Sequence, residues 1–349
     1  MSIGKHKLLS TALWLFCSAA SAQQAPSPET VMQNFGIAPS QLAQLEQGEI
    51  VSYDVDETSQ KELASGVAMY LPVSISQLAG FFKNGDLVGL ESDVLAYGAI
   101  ADNADINTFK KFVYTERQLD EAKAFLAAEA GDEFNLSKAE LETLHKLQAS
   151  LDNADNKTLL KAASQQYRQF LLQRWQAYRN SGLNGIAAYD RDGNNADPAA
   201  ELRTDTNHSQ TWAHYFPALQ KAWLNYPISL PEQATETFFW MNRLVENRPT
   251  PILNHRIILA TEQGGMILSR QFYVGHSYNS SQVVAGGVPY KAGTIVFYST
   301  RSSTDQVAGM GSSLKHSIGR EQVKKSMISR LQLLNKKLKR PSAAVAAAK

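Results

Sequence analysis

Residues 251–275 read PILNHRIILATEQGGMILSRQFYVG, and this stretch decides the fold. Two apolar runs, 251–261 and 266–275, flank Gly264-Gly265, a dipeptide that turns a chain back on itself as a hairpin. Strict alternation on the second run puts Met266, Leu268, Arg270, Phe272 and Val274 on one face. Ile267, Ser269, Gln271 and Tyr273 fall on the other. Further strand-like runs lie on either side, at 236–246, 280–286 and 293–301, with Gly286-Gly287 punctuating a connection. Five neighbouring strands with short links form an antiparallel meander.

Downstream of the meander, Val323, Met327, Leu331, Leu334 and Leu338 recur at helical spacing and predict a long helix over 316–339. An Ala-rich segment, 341–349, is expected to be disordered. Upstream, residues 105–230 read as helical. Ser137-x-x-Glu140 is a capping box before a helix through Leu141, Leu144 and Leu147. Lys157 to Asn180 carries Tyr167, Phe170, Leu171, Trp175 and Tyr178 on one stripe, and a further helix is expected over 207–223. Residues 49–100 revert to strand character, at 50–55, 63–73 and 86–100, with a short helix over 74–82. A helical lead, 23–48, precedes them, with Pro28 opening one helix and Ser40 capping another.

The expected fold is therefore α+β. One domain, 49–340, holds a curved antiparallel sheet from 49–100 and 235–301, a large helical insertion over 105–230 and a long C-terminal helix. This order of elements resembles the helix-grip fold of START-like lipid-binding proteins. That resemblance implies a sheet wrapped around the final helix and a ligand cavity between them.

The chain of 349 residues is 44% hydrophobic and 19% charged. Such a composition excludes a disordered polyelectrolyte. Residues 1–22 have the form of a secretory signal. Lys5, His6 and Lys7 precede an apolar run from Leu8 to Phe16, and Ala20-Ser21-Ala22 supplies the small residues for cleavage after Ala22. Its removal takes away the one cysteine, Cys17, and leaves no residue for thiol catalysis, zinc–thiolate sites or iron–sulfur clusters. A long cysteine-free exported chain fits a bacterial periplasm. No later segment is apolar enough to span a membrane. Charge is also segregated: residues 315–349 carry ten basic groups against Glu321 alone. A basic amphipathic helix admits contact with a membrane surface or an acidic partner. A helix packed on the sheet by its apolar stripe is the favoured alternative, and a nucleic-acid partner is not expected.

No zinc-protease, serine-hydrolase or phosphate-loop signature occurs, and Gly309-Met310-Gly311 lacks the third glycine of a dinucleotide fingerprint. No cofactor is expected. The polar groups on apolar strand faces carry the functional reading. Arg270 lies among Met266, Leu268 and Phe272, His255 among Leu253, Ile257 and Leu259, and Arg243 beside Phe239, Met241 and Val245. A lone buried cation must be paired or must face a ligand. With Tyr273 and Trp240 on the same strands, these residues form the candidate ligand-binding set, for an apolar or lipid-like ligand with a polar or anionic end. Two alternatives stand beside it. One is an enzyme of hydrolase or cyclase type that uses a His–carboxylate pair around His255 or His276, and the other is an interaction protein that docks through its basic helix. Asp190, Asp192 and Asp197, clustered with Asn194 and Asn195, resemble a calcium loop in composition, although the same residues make ordinary turns.

Overall fold

The computed structural model describes residues 27–84, 88, 91–309 and 311–338. The signal segment, the first residues of the lead, part of the expected strand over 86–100 and the tail lie outside these residues. The structure is α+β, built on one open, curved, eight-stranded antiparallel sheet. Strands β1 (Ile50–Tyr53), β2 (Glu62–Leu71), β3 (Val94–Ile100), β4 (Ala234–Val245), β5 (Arg248–Ala260), β6 (Gly265–Val274), β7 (Ser280–Tyr290) and β8 (Gly293–Ser303) run in the order β1-β2-β8-β7-β6-β5-β4-β3. The meander β4 to β8 is continuous, and the N-terminal strands close on its two sides, β2 against β8 and β3 against β4.

Helices α1 (Pro28–Asn34) and α2 (Leu42–Glu46) form the lead, and α3 (Ile75–Asn84) follows β2. The insertion comprises α4 (Leu119–Leu126), α5 (Lys138–Ala149), α6 (Asn156–Ser181), α7 (Pro198–His208), α8 (Gln210–Tyr215) and α9 (Pro217–Leu224), and α10 (Ser312–Leu338) closes the fold. Ser27 caps α1 by accepting from Thr30 N at 3.2 Å, with Pro28 in the first turn. The hydroxyl satisfies one of the orphan donors, and proline there loses no helical hydrogen bond. Ser40 does not cap α2; it lies inside a 3-10 turn opened by Pro39.

The sheet separates two cores. On one face α10 lays Met327, Leu331 and Leu334 against Val67, Met69, Val296 and Tyr298, joined by Leu78 of α3. Hence the apolar stripe of α10 is fully engaged by the sheet. Gly319 permits the close crossing, since a Cβ there would sit 2.7 Å from Leu63 Cδ1. The opposite face is covered twice. Helices α4 to α7 bury Tyr167, Phe170, Trp175 and Tyr178 against Trp240, Leu253, Phe272 and Tyr273. The lead packs Val31 and Met32 over Ala68, Ile295 and Phe297. Among the described residues, no helix is long and apolar enough to cross a membrane.

Three expectations are corrected. The single helix over 207–223 is two short ones, α8 and α9, separated from the end of α7 at Ser209 and from each other at Phe216. Pro217 has no N–H to continue the preceding helix. Gly286-Gly287 is not a connection but lies within β7, where Gly287 pairs with Gly265. A Cβ at Gly265 would meet Ile75 Cγ2 at 3.0 Å, so the paired glycines seat the start of α3 on the sheet. Finally, β6 does not alternate strictly. Its register against β5 shifts between Leu253 and Asn254, a bulge that sets Tyr273 opposite Leu253. Phe272 and Tyr273 both join the core under the insertion.

Candidate functional site

Cross-strand register assembles a polar row on the insertion face. His255 stands opposite Arg270, Arg270 opposite Gln282, and Gln282 opposite Arg301. Arg270 is fully buried. Its Nη1 donates to Tyr178 Oη at 3.0 Å, its Nη2 to Trp223 O at 3.2 Å, and the guanidinium lies 4.1 Å from the Trp223 ring centre. His255 Nδ1 is 2.9 Å from Tyr178 Oη, and Nε2 is 2.9 Å from Glu236 Oε1. Burial drives the His255 pKa down to about 4, and the cations Arg270 and Arg179 push it the same way; Glu236 opposes them only in part. The imidazole is neutral at neutral pH. Sequence reasoning thus placed Arg270 and His255 together correctly, but helices α6 and α9 supply their partners. The His–carboxylate pair is present at 2.9 Å, although neither His255 Nε2 nor Glu236 Oε1 has a hydrogen bond of good geometry, and the His255 side chain has no exposed surface.

The other members of the sequence-derived set disperse. Tyr273 Oη shares a 3.0 Å hydrogen bond with Tyr167 Oη, and Arg174 lies over its ring at 4.2 Å. Trp240 Nε1 donates to Thr108 O at 3.0 Å. Arg243 is on the opposite face, where it pairs with Asp93 and, at 3.0 Å, with Glu91. The acidic loop is a hairpin turn. Asp192 and Gly193 adopt left-handed backbone, Asp190 accepts from Asp192 N, and Asp197 caps α7 through Ala200 N at 3.0 Å. Among the described residues, no three His, Cys, Asp or Glu side chains gather in a way that could hold a metal.

The cavity lies where Arg243 points. A space of about 190 Å³ opens between the sheet, α3 and α10, lined by Leu78, Phe82, Met241, Ile258 and Leu334 together with Arg243, Arg256 and Arg330. Glu91 bridges two of the arginines, accepting from Arg330 Nη2 at 3.2 Å as well as pairing with Arg243. Arg256 is different. Among the described residues it makes no hydrogen bond or ion pair, and its guanidinium rests on the Phe239 ring at 4.6 Å. Burial lowers its pKa, with Glu91 and Tyr298 acting against that shift. Arg256 was missed in the sequence, although the signal was the one used for Arg270: a lone cation on the strand face shared by Asn254, Ile258 and Ala260.

Comparison with known proteins returns no match, whether to family models, to curated proteins or to solved structures.

Proposed function

We propose that the protein is exported to the periplasm and binds a small apolar or lipid-like molecule with an anionic end, held between the sheet and α10. The single observation that carries this reading is Arg256, a cation inside a mostly apolar cavity whose guanidinium makes no hydrogen bond or ion pair among the described residues, rests on an aromatic ring and feels Glu91 only at a distance. Desolvating a cation without a counter-charge is costly, and a ligand carboxylate offsets that cost. Arg243 and Arg330 are already matched by Asp93 and Glu91, so the surplus positive charge of the site is Arg256. A sheet with its final helix beside the cavity is also what the START-like resemblance implies. The space measures about 190 Å³. Drug-sized sites usually exceed ~300 Å³, so this one selects short chains.

Decanoate and shorter fatty acids, titrated calorimetrically, test the reading. Saturable one-to-one binding is expected. Arg256→Gln should weaken it about tenfold or more, the scale of a charge-assisted hydrogen bond. Ala285→Phe, which fills the cavity from β7, should abolish it. Binding that survives the filled cavity would place the ligand elsewhere and overturn the assignment.

A further inference from the structure

The insertion face holds a second, larger space, distinct from the α10 cavity and reached by the polar row only through Arg301. A cleft of about 940 Å³ opens where the lead and the insertion, the two covers of that face, meet. Its floor is formed by β7, β8 and β1, with Phe297 and Tyr53. One wall is α1, ending in Phe35, and the other is α8, with Trp212, Tyr215 and the following Phe216. The walls touch across the gap. Asn34 Nδ2 donates to Tyr215 Oη at 2.6 Å, and Thr211 Oγ1 donates to Asn34 O at 3.3 Å. Phe35 packs 5.0 Å from both Tyr53 and Phe297, which makes a continuous aromatic surface.

We propose that this cleft is a second binding site, for a small organic cation with an apolar or aromatic body. Two observations support that choice, and a third marks the cleft as a place where a ligand or water is held. First, the lining is aromatic on both walls and the floor, and ring faces attract cations, most of all quaternary and aryl ammonium groups that shed water easily. Second, the charge left over is negative. Arg301, which reaches the cleft, is neutralised by Glu62 at 2.5 Å and donates to Asp56 O at 2.8 Å. Glu57 is neutralised by Arg320, and His316 Nδ1 lies 3.1 Å from its carboxylate. Asp54 and Asp56 line the same cleft, and their carboxylates make no hydrogen bond or ion pair with any described residue. Third, Trp212 is 4% exposed, lines the cleft and leaves its Nε1 without a partner. A buried donor of this kind is ordinarily satisfied by protein, water or ligand. The two faces of the sheet thus offer opposite surplus charges, Arg256 on one and Asp54 with Asp56 on the other.

The test uses three probes of one shape: benzyltrimethylammonium, benzyl alcohol and benzoate. Binding to the full-length purified protein is read by calorimetry and by tryptophan emission. Trp175, Trp223 and Trp240 are no more than 3% exposed and lie outside the cleft, so in a Trp14→Phe background quenching should report Trp212 and vanish in Trp212→Phe. The cation should bind saturably and at least tenfold more tightly than the alcohol, with benzoate weakest. Asp54→Asn with Asp56→Asn should cost the cation tenfold and leave the alcohol unchanged. Both aspartates are exposed, so this variant keeps its fold, which circular dichroism checks. Equal affinity for the three probes, no saturable binding, or an unchanged cation affinity in the double variant would overturn the proposal.

Discussion

Glu140 carries two roles at once. Its carboxylate accepts from Ser137 N at 2.7 Å and Ser137 Oγ at 2.8 Å, closing the capping box of α5. It also takes Arg174 Nε at 2.7 Å, in an ion pair whose two residues are each 8% exposed. Breaking a buried pair strands the surviving charge, so Glu140→Ala should destabilise the protein by about 3–5 kcal/mol in urea unfolding. Replacing both partners with apolar residues should recover most of that loss. The box was legible in the sequence; its second partner, 34 residues on, was not. Asp205 sets a different expectation. It is 1% exposed and its Oδ2 has no hydrogen-bond partner. Burial, with Glu62 adding repulsion, raises its pKa to about 8. The folded state therefore holds a proton that the unfolded chain releases above pH ~4, and this contribution to stability is lost as pH rises from about 4 towards 8. Within that window the slope is on the order of 1.4 kcal/mol per pH unit for this one group. Asp205→Asn should thus gain on the wild type between pH 5 and pH 8 in denaturant titrations. His255 acts oppositely: its pKa falls from 6.5 to about 4 on folding, so stability is lost as pH drops through that window.

At the scale of elements, α10 is where the sequence left two roles open, a structural helix or a docking helix. Leu331 and Leu334 are 5% and 6% exposed, packed against β2 and β8. Leu331→Ala should therefore cost about 2–5 kcal/mol in denaturant unfolding, from lost burial and the cavity left behind. Truncation after Gly319 should abolish the cooperative unfolding transition and expose dye-binding apolar surface. A truncated chain that stays folded would make α10 a docking element instead. Most elements were readable because their period is local: the strands of the meander are apolar runs between turn residues, and α6 carries an unbroken stripe. What failed was decided between elements. The bulge in β6 exists only in its register with β5, and it moves Tyr273 to the face of Arg270. Strand-internal Gly286-Gly287 looks like a turn until the pairing of Gly287 with Gly265, where Ile75 of α3 comes close, places it in the ladder.

For the whole molecule, the proposed export predicts that protein recovered from the cell envelope begins at Gln23, which N-terminal sequencing checks; an intact Met1 or Ser2 would sink that reading. Sequence by itself determined the α+β class, the meander, the closing helix and the presence of cations on apolar strand faces, because hydrophobic period and charge are properties of neighbouring residues. Tertiary structure alone decided which face each cation serves. The sheet has two covered faces, and only the folded chain shows that α6 gives partners to Arg270 and His255 and α9 one to Arg270, while α3 and α10 leave a space beside Arg256. The cleft between α1 and α8 has no sequence signature at all. Its walls come from residues more than 170 positions apart, brought together where two separate covers of one sheet meet.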